Sequence, residues 1–175
     1  MCIRDRGDAG LAMGAALQAW HVLAKPTHSH KLETLSYGPS FTHNEIRRIL
    51  DERQLAYRQI ANPAQEAARL LADNKTVAWF QGRMESGPRA LGNRSILMNS
   101  GRLENKAALN DRVKFREGFR PFCPSMLAEK ADRYLQRGRD ENFMMTSFDV
   151  QSECRARIPA VVHVDGTLRP QTVKR

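Results

Sequence analysis

The sequence is poor in cysteine, and the few cysteines are isolated. The three residues, Cys2, Cys123 and Cys154, include no Cys-x-x-Cys pair. A disulfide framework and a structural zinc site both need grouped thiols, so the pattern argues against both. Isolated thiols are typical of a reducing compartment, and we therefore expect a cytoplasmic protein.

Long apolar runs are also missing. No uninterrupted apolar stretch approaches the roughly 20 residues that a helix needs to cross a bilayer. Residues 1–6 lack the basic-then-apolar layout of a secretory signal. We therefore expect neither a membrane protein nor a secreted one.

What remains is the composition of a globular protein. Of the 175 residues, 41% are apolar and 27% are charged, which permits a packed core and argues against global disorder. The length is enough for one domain of ordinary size, or for one domain with part of another.

Acidic residues are too few to balance the basic ones, and the surplus is concentrated. The chain has 28 Lys and Arg against 19 Asp and Glu, and 21 of the 28 are Arg. Residues 83–140 carry 13 basic and 7 acidic groups, which is +6 of the net +9. Because Arg suits bidentate capture of phosphate, the pattern indicates a polyanionic small ligand or a nucleic acid. A solvated basic face is the alternative.

Hydrophobic periodicity predicts a mixed α/β chain. Helices are predicted over residues 10–23, 43–53, 63–73 and 106–113. Thr42 with Glu45 has the pattern of a capping box, and Asn62 is a predicted N-cap followed by proline. Strands are predicted over residues 55–60, 76–80, 96–98, 125–127 and 143–150, with a β-hairpin over 160–173.

The densest chemical signal is the segment 80–95, which follows a predicted buried strand. Glycines recur in it every five residues and let the backbone approach a ligand. A P-loop needs Lys-Ser or Lys-Thr after its second glycine, but Pro88-Arg89 stands there, so guanidinium groups would hold any anion. The alternative is a loop whose arginines pair with Glu85 and other acids.

A second cationic segment covers residues 110–125. Lys114 and Arg120 flank an aromatic, glycine-containing turn that leads into a predicted strand. Two X-Pro steps stiffen this path, and a stiff, aromatic-walled loop with cations suits a phosphate or acyl-phosphate pocket. For Arg112 and Arg116, a basic helix end is the alternative.

The third candidate site is the pair His163 and Asp165. Their spacing of two places both on one face of a strand, where they could hold a metal. Gly166 follows them, so a plain hairpin turn is the competing interpretation. Arg169, on the returning strand, could face the same cavity.

These three segments resemble the carbamoyltransferase family that includes nodulation-factor and antibiotic O-carbamoyltransferases. The resemblance is carried by residues 81–97, 113–122 and 158–167, and it extends over nearly the whole chain from Gly7. It implies a two-part enzyme with an N-terminal actin-like (ASKHA-type) domain for carbamoyl transfer. The C-terminal part would be a YrdC-like α/β domain that turns carbamoyl phosphate and ATP into carbamoyl-adenylate.

The resemblance also implies how this chain is divided. Residues 1–25 would be the tail of the actin-like domain, 26–40 a linker, and 41–175 the YrdC-like domain. The expected fold is a twisted mixed sheet with flanking helices, incomplete at its C-terminus. We therefore expect an incomplete carbamoyltransferase that does not complete transfer alone and whose partner is the missing N-terminal domain of the same polypeptide.

Individual residues receive roles from the same resemblance. Arg89, Lys114 and Arg120 would be catalytic. Carbamoyl phosphate or the adenylate would be bound by Arg83, Arg89, Lys114, Arg120, Ser125 and Arg169. Gly7 and Gly10 would lie at a cofactor and Asp8 would ligate a divalent metal, with iron as a candidate. Cys123 departs from the family pattern, which usually has a small residue there.

The implied cosubstrate is ATP with Mg²⁺, and the implied acceptor is a hydroxyl of a small molecule in secondary-metabolite or nodulation-factor-like biosynthesis. The alternative function is a basic RNA-binding module, or a tRNA-modification module of the threonylcarbamoyl-adenylate type. Nucleic acid is the less favoured partner, and no membrane partner is expected.

Overall fold

The computed structural model describes residues 8–27 and 32–174. The helices are α1 (Asp8–Ala24), α2 (His43–Glu52), α3 (Pro63–Ala72) and α4 (Glu104–Leu109), with a π-helical turn (Asn110–Lys114) and 3-10 turns (Ala128–Arg133, Ser152–Arg157). The strands are β1 (Val77–Phe80), β2 (Arg94–Leu97), β3 (Ser125–Leu127), β4 (Phe148–Asp149), β5 (Thr167–Leu168) and β6 (Gln171–Val173). The expected mixed α/β class is confirmed. None of the helices within the described ranges has the length and hydropathy that a bilayer crossing demands.

Helices α2 and α3 begin where the sequence predicts, because side chains satisfy their first backbone N–H groups. The Oγ1 of Thr42 accepts from the N–H of Glu45 at 3.3 Å, and the Glu45 carboxylate accepts from the N–H of Thr42 at 2.7 Å. The Oδ1 of Asn62 accepts from the N–H of Gln65 at 3.1 Å, with Pro63 at the first helical position. Both predicted caps are confirmed.

The strands form three separate pairs within the described residues. β1 and β2 are antiparallel, with Phe80 opposite Arg94. β4 and β5 are antiparallel, with Phe148 opposite Leu168. β3 and β6 are parallel, with Ser125 opposite Gln171. This parallel pair matters most for the site, because it brings residues near position 170 beside residues near position 124.

The strand predicted over residues 55–60 is wrong. This segment has no regular structure, and its side chains contact neighbouring helices instead of a partner strand. The Tyr57 hydroxyl donates to Asp51 at 2.9 Å, and Arg58 pairs with Glu66 at 2.7 Å. Alternating apolar residues give a strand only where a second strand accepts their backbone hydrogen bonds.

The predicted strand 143–150 and the predicted hairpin 160–173 are also largely wrong. Only Phe148–Asp149 of the first is a strand. In the second, residues 160–164 form turns and irregular backbone, and the Ala160 N–H donates to the Ser100 carbonyl at 3.2 Å. β5 and β6 therefore pair with β4 and β3 rather than with residues 160–164.

The largest buried cluster lies in the C-terminal half. Its buried members are Ala131, Leu135, Phe148, Val150, Cys154, Val161 and Leu168. Helix α1 exposes apolar side chains instead, with Leu23 82% and Leu11 61% exposed. No residue of α2 is buried. The stable frame of the described chain is therefore the region from β3 to β6.

We predict that Leu168→Ala destabilises the fold by about 2–5 kcal/mol, because it leaves a cavity in the buried cluster. The wild-type side chain is 0% exposed. The control is Leu103→Ala, whose leucine is 63% exposed, and it should change the free energy of unfolding by less than about 0.5 kcal/mol. Urea denaturation followed by circular dichroism measures both. Equal losses in the two variants would contradict the location of the core.

Candidate functional site

The arginine loop, defined as residues 81–93, connects β1 to β2 and has no regular secondary structure. Its backbone takes positive φ angles at Gly87 (99°) and Gly92 (111°). Only glycine adopts such angles without strain, so the backbone path of the loop requires glycine at these two positions. Irregular connections of this length are uncommon in compact domains, and those that are ordered are often functional.

A buried carboxylate, that of Glu85, organises this loop. Its side chain is 0% exposed. One oxygen accepts from the N–H groups of Leu91 at 2.6 Å and Asn93 at 2.7 Å. The other oxygen accepts from Nε of Arg94 at 3.1 Å, and a second Arg94 nitrogen donates to the Glu85 carbonyl at 2.8 Å. The alternative raised by the sequence, an arginine paired with Glu85, is therefore correct for Arg94.

The ionisation of Glu85 follows from these contacts. Burial acts to raise the pKa of the Glu85 carboxyl, but the N–H donors of Asn93 and Leu91, with the Arg94 guanidinium, outweigh it. The pKa is therefore lowered from its ordinary value of 4.5. The group is a carboxylate at neutral pH and binds the loop in its charged form.

The segment 32–39 lies against the arginine loop. Arg83 donates to the carbonyls of Gly38 at 3.0 Å and Tyr37 at 2.8 Å. Ser86 donates its N–H to the Leu35 carbonyl at 2.7 Å, and the Leu35 side chain is buried. Part of the segment expected as a linker is thus held against the loop, and two N–H groups of Arg83 are used for this purpose.

Gln171 joins the arginine loop to β3. Its Nε2 donates to the Leu91 carbonyl at 2.8 Å, and its Oε1 accepts from the Ser125 hydroxyl at 3.2 Å. Gln171 is buried, and the half-buried Arg89 lies two residues before Leu91 in the loop. A contact of this kind between residues 80 positions apart gives no signal in the sequence.

Arg169 lies at the same end of the parallel pair. Its Nε and Nη2 lie 3.4 Å and 3.3 Å from the sulfur of Cys123. A thiol is a weak acceptor, and in the described part of the chain no carboxylate is within salt-bridge distance of Arg169. Its positive charge is therefore left for another anionic group.

The basic loop, defined as residues 114–121, is fixed by the fully buried Asn110. The Oδ1 of Asn110 accepts from Nε of Arg116 at 2.7 Å, and its Nδ2 donates to the Arg120 carbonyl at 3.2 Å. Arg116 also lies 4.5 Å over the ring of Phe122 and donates to the Pro121 carbonyl. Arg116 is therefore part of the framework, in agreement with the alternative given for it.

Lys114 and Arg120 lie on the exposed side of the basic loop. Nε of Arg120 pairs with the exposed Glu117 carboxylate at 3.1 Å. Such an exposed pair contributes little, so the Arg120 side chain can exchange it for a ligand. Beside it is a wide, open surface cavity of about 620 Å³ lined by Asp111, Phe115, Arg116, Glu117 and Arg120.

The structure thus connects Ser125, Arg169 and the arginine loop through Gln171, and the basic loop continues through residues 121–124 into β3. The contacts do not join Lys114 or Arg120 directly to Arg169. The roles assigned to Arg83, Arg89, Lys114, Arg120, Ser125 and Arg169 stay predictions.

The cofactor and metal residues predicted near the N-terminus lie at the edge of the described chain. Gly7 lies outside the described residues. Asp8 and Gly10 belong to α1, but the side chain of Asp8 is likewise outside what is described. Within the described ranges no group of three His, Cys, Asp or Glu is placed to hold a metal ion.

The pair His163 and Asp165 forms a turn. One Asp165 oxygen accepts from the N–H of Thr167 at 2.9 Å and from its hydroxyl at 2.8 Å. Burial lowers the pKa of His163; Asp165 opposes this, and the cations Arg169 and Lys106 add to it. The imidazole is therefore uncharged at neutral pH. Asn110 and Gln171 are the site residues that the sequence analysis missed.

Comparison with known proteins identifies the family. The chain belongs to the carbamoyltransferase family, because the family model for the carbamoyltransferase C-terminus matches residues 68–175. The chain is similar to nodulation protein NolNO of Sinorhizobium fredii, with 40% identity over 96% of this chain and 26% of that protein. It is also similar to nodulation protein NolO of Bradyrhizobium diazoefficiens, with 37% identity over 96% of this chain and 32% of that protein.

The chain is also similar to a protein that does not carry the name of a nodulation protein. An uncharacterized Synechocystis protein is 37% identical over 95% of this chain and 32% of its own length. The chain therefore spans about a quarter to a third of the length of the relatives that it matches. The expectation of a carbamoyltransferase relationship is confirmed.

We predict that Glu85→Gln destabilises the chain at pH 7 by about 1–3 kcal/mol, because the amide loses the charge that faces Arg94. Since the pKa of Glu85 is lowered by folding, its contribution is complete above its ordinary pKa of 4.5 and is lost as the pH falls below it. Urea denaturation at pH 7 and at pH 3 should show the difference between variant and wild type shrinking in acid.

The control for this variant is Glu104→Gln. Its carboxylate is 69% exposed and lies 4.0 Å from Arg102, so the change should have little effect at either pH. A Glu85→Gln variant as stable as the wild type at pH 7 would contradict the organising role of this carboxylate.

Proposed function

We propose that this chain takes part in ATP-dependent carbamoyl transfer, activating carbamoyl phosphate as carbamoyl-adenylate for the O-carbamoylation of a small-molecule hydroxyl. Membership of the carbamoyltransferase family supports the reaction class. The similarity to nodulation proteins supports a small-molecule acceptor of the kind used in nodulation-factor-like or secondary-metabolite biosynthesis. We expect YrdC-like architecture for this part of the polypeptide.

The observation that carries the proposal is the convergence around Gln171. This side chain contacts Leu91, 80 positions away, and Ser125, 46 positions away. Arg169 stands two residues before it, with no carboxylate partner among the described residues. Three segments that the sequence analysis assigned to ligand binding are thus held together by one buried amide.

The electrostatics suit the proposed substrates. Carbamoyl phosphate and ATP bring several negative charges into one site. Lys114, Arg120 and Arg169 supply positive charges that no buried carboxylate of the described residues neutralises. Each charge-assisted hydrogen bond to phosphate contributes about 1.5–3 kcal/mol. Positioning and charge stabilisation are also what adenylate formation requires.

The proposed reaction converts carbamoyl phosphate, ATP and water into carbamoyl-adenylate, pyrophosphate and orthophosphate. Water would first cleave carbamoyl phosphate to carbamate and orthophosphate. A carbamate oxygen would then bond to the α-phosphorus of ATP, and the bond from that phosphorus to pyrophosphate would break. Arg89, Lys114 and Arg120 would orient the phosphates and neutralise the charge that gathers on pyrophosphate as it leaves. Ser125 and Arg169 would hold the carbamoyl end.

We propose two metal ions. Mg²⁺ would enter with ATP and share its phosphate charge, and the polar walls of the cavity beside Arg120 fit such a complex. A divalent metal at Asp8, with iron as a candidate, would need ligands from the remaining N-terminal domain of the polypeptide. The described residues offer no three-ligand group for it, so no step is derived through it.

We predict that Arg120→Ala and Arg169→Ala each weaken the binding of carbamoyl phosphate by about tenfold or more, because each removes a charge-assisted contact with the ligand. Calorimetric titration with carbamoyl phosphate, with and without ATP and Mg²⁺, measures the affinity of each variant.

The matched control is Arg48→Ala on the exposed helix α2. Its guanidinium pairs with Glu52 at 2.6 Å, away from the site, and its removal should leave the affinity unchanged. Equal losses at Arg48 and Arg120, with affinity falling steeply as salt rises, would instead favour a general polyanion-binding surface such as one for RNA.

A further inference from the structure

Gln171 is a buried amide whose two ends have different hydrogen-bonding partners. Its Nε2 lies 2.8 Å from the Leu91 carbonyl oxygen, and its Oε1 lies 3.2 Å from the Ser125 hydroxyl. A carbonyl oxygen can only accept a hydrogen bond, so the nitrogen of the amide has to face Leu91. The contact with Leu91 therefore fixes the amide oxygen as the end that faces Ser125.

The orientation of Gln171 decides what the Ser125 hydroxyl can offer to a ligand. A serine hydroxyl has one proton to donate and two lone pairs that accept. The proton of Ser125 is used in the bond to Oε1 of Gln171. Ser125 is exposed, so its oxygen stays accessible. Toward a ligand, Ser125 therefore acts as an acceptor and not as a donor.

Arg169 supplies the complementary donors at the same end of the parallel pair. It precedes Gln171 by two residues. Its contact, Cys123, likewise precedes Ser125 by two. Residues two apart along an extended strand share a face and lie about 6–7 Å apart. A cationic donor and an uncharged acceptor therefore lie side by side where β3 and β6 begin.

We propose that Ser125 is a specificity-determining residue that accepts a hydrogen bond from the amino group of carbamoyl phosphate, and that Gln171 is the positioning residue that keeps it an acceptor. The inference rests on the proposed function and adds to it the basis on which a carbamoyl group is selected. In a carbamoyl group, an acceptor (the carbonyl oxygen) is adjacent to a donor (the amino group). These match the Arg169 guanidinium and the Ser125 oxygen.

The test compares carbamoyl phosphate with acetyl phosphate, which has the same phosphate and carbonyl groups but a methyl group in place of the amino group. Affinities for the 175-residue chain are measured by calorimetric titration. The wild type should bind carbamoyl phosphate about tenfold more tightly, because acetyl phosphate leaves the Ser125 acceptor unpaired. Ser125→Ala should weaken carbamoyl phosphate about tenfold and leave acetyl phosphate unchanged, which removes the preference.

Two substitutions of Gln171 test its role as a positioning residue. Both remove the donor to the Leu91 carbonyl, so both are expected to weaken the two ligands through the arginine loop. Gln171→Glu keeps an oxygen that accepts from Ser125, and the preference for carbamoyl phosphate should persist. Gln171→Met has no such oxygen, so the Ser125 proton can turn to the oxygens that both ligands carry, and the preference should fall. A purely structural role would change the affinities without separating the two variants in preference.

The matched control is Ser152→Ala. This serine is also exposed, and its hydroxyl contacts the neighbouring Glu153 at 3.2 Å. Its removal should leave both affinities unchanged. Thermal unfolding of every variant establishes that the protein is folded at the temperature of the titration, and Ser125→Ala tests the proposal even where a Gln171 variant does not fold.

The contrary outcomes are distinguishable. The inference is overturned, and the proposed function stands, if the wild type binds both ligands equally, if Ser125→Ala weakens both equally or neither, or if Ser152→Ala has the same effect. Equal preference in Gln171→Glu and Gln171→Met overturns the role of Gln171. A wild-type chain that binds neither ligand overturns the proposed function and this inference together.

Discussion

The buried carboxylate of Glu85 is the constraint on which the site depends. An ionised group enclosed by protein requires compensating donors, and here the N–H groups of Leu91 and Asn93 and the Arg94 guanidinium supply them. Satisfying this one charge fixes the backbone of a loop that has no regular secondary structure of its own. The positions of Arg89 and Leu91 in this loop follow from that backbone, and the Leu91 carbonyl accepts a hydrogen bond from Gln171.

The basic side chains of the site divide into two groups by what their N–H groups contact. Arg83, Arg94 and Arg116 donate to protein carbonyls, the Glu85 carboxylate or the Asn110 amide, and they hold loops together. Arg120 has one exposed carboxylate partner, and Arg169 faces a thiol. Net charge alone does not distinguish these groups, although only the second can change partners at low cost when an anion binds.

The sequence was a reliable guide where local chemistry decides the structure. The caps at Thr42 and Asn62 were predictable because an N-cap contacts residues only two or three positions away. The strand over 55–60 and the hairpin over 160–173 were wrong because strands depend on distant partners. The contact between Gln171 and Leu91 could not be predicted for the same reason, since it exists only after β3 and β6 pair in parallel. Family motifs named candidate residues but not their conformations.

The irregular parts of the backbone coincide with those motifs. Positive φ angles occur at Gly87, Gly92 and Phe115, and the π-helical turn ends at Lys114. Each irregularity is enforced by a buried polar residue, Glu85 in the arginine loop and Asn110 in the basic loop. A regular helix or strand satisfies its own backbone groups and leaves few of them to a ligand. A loop held by one buried side chain keeps its shape while its cationic groups stay accessible, and this chain uses that arrangement twice.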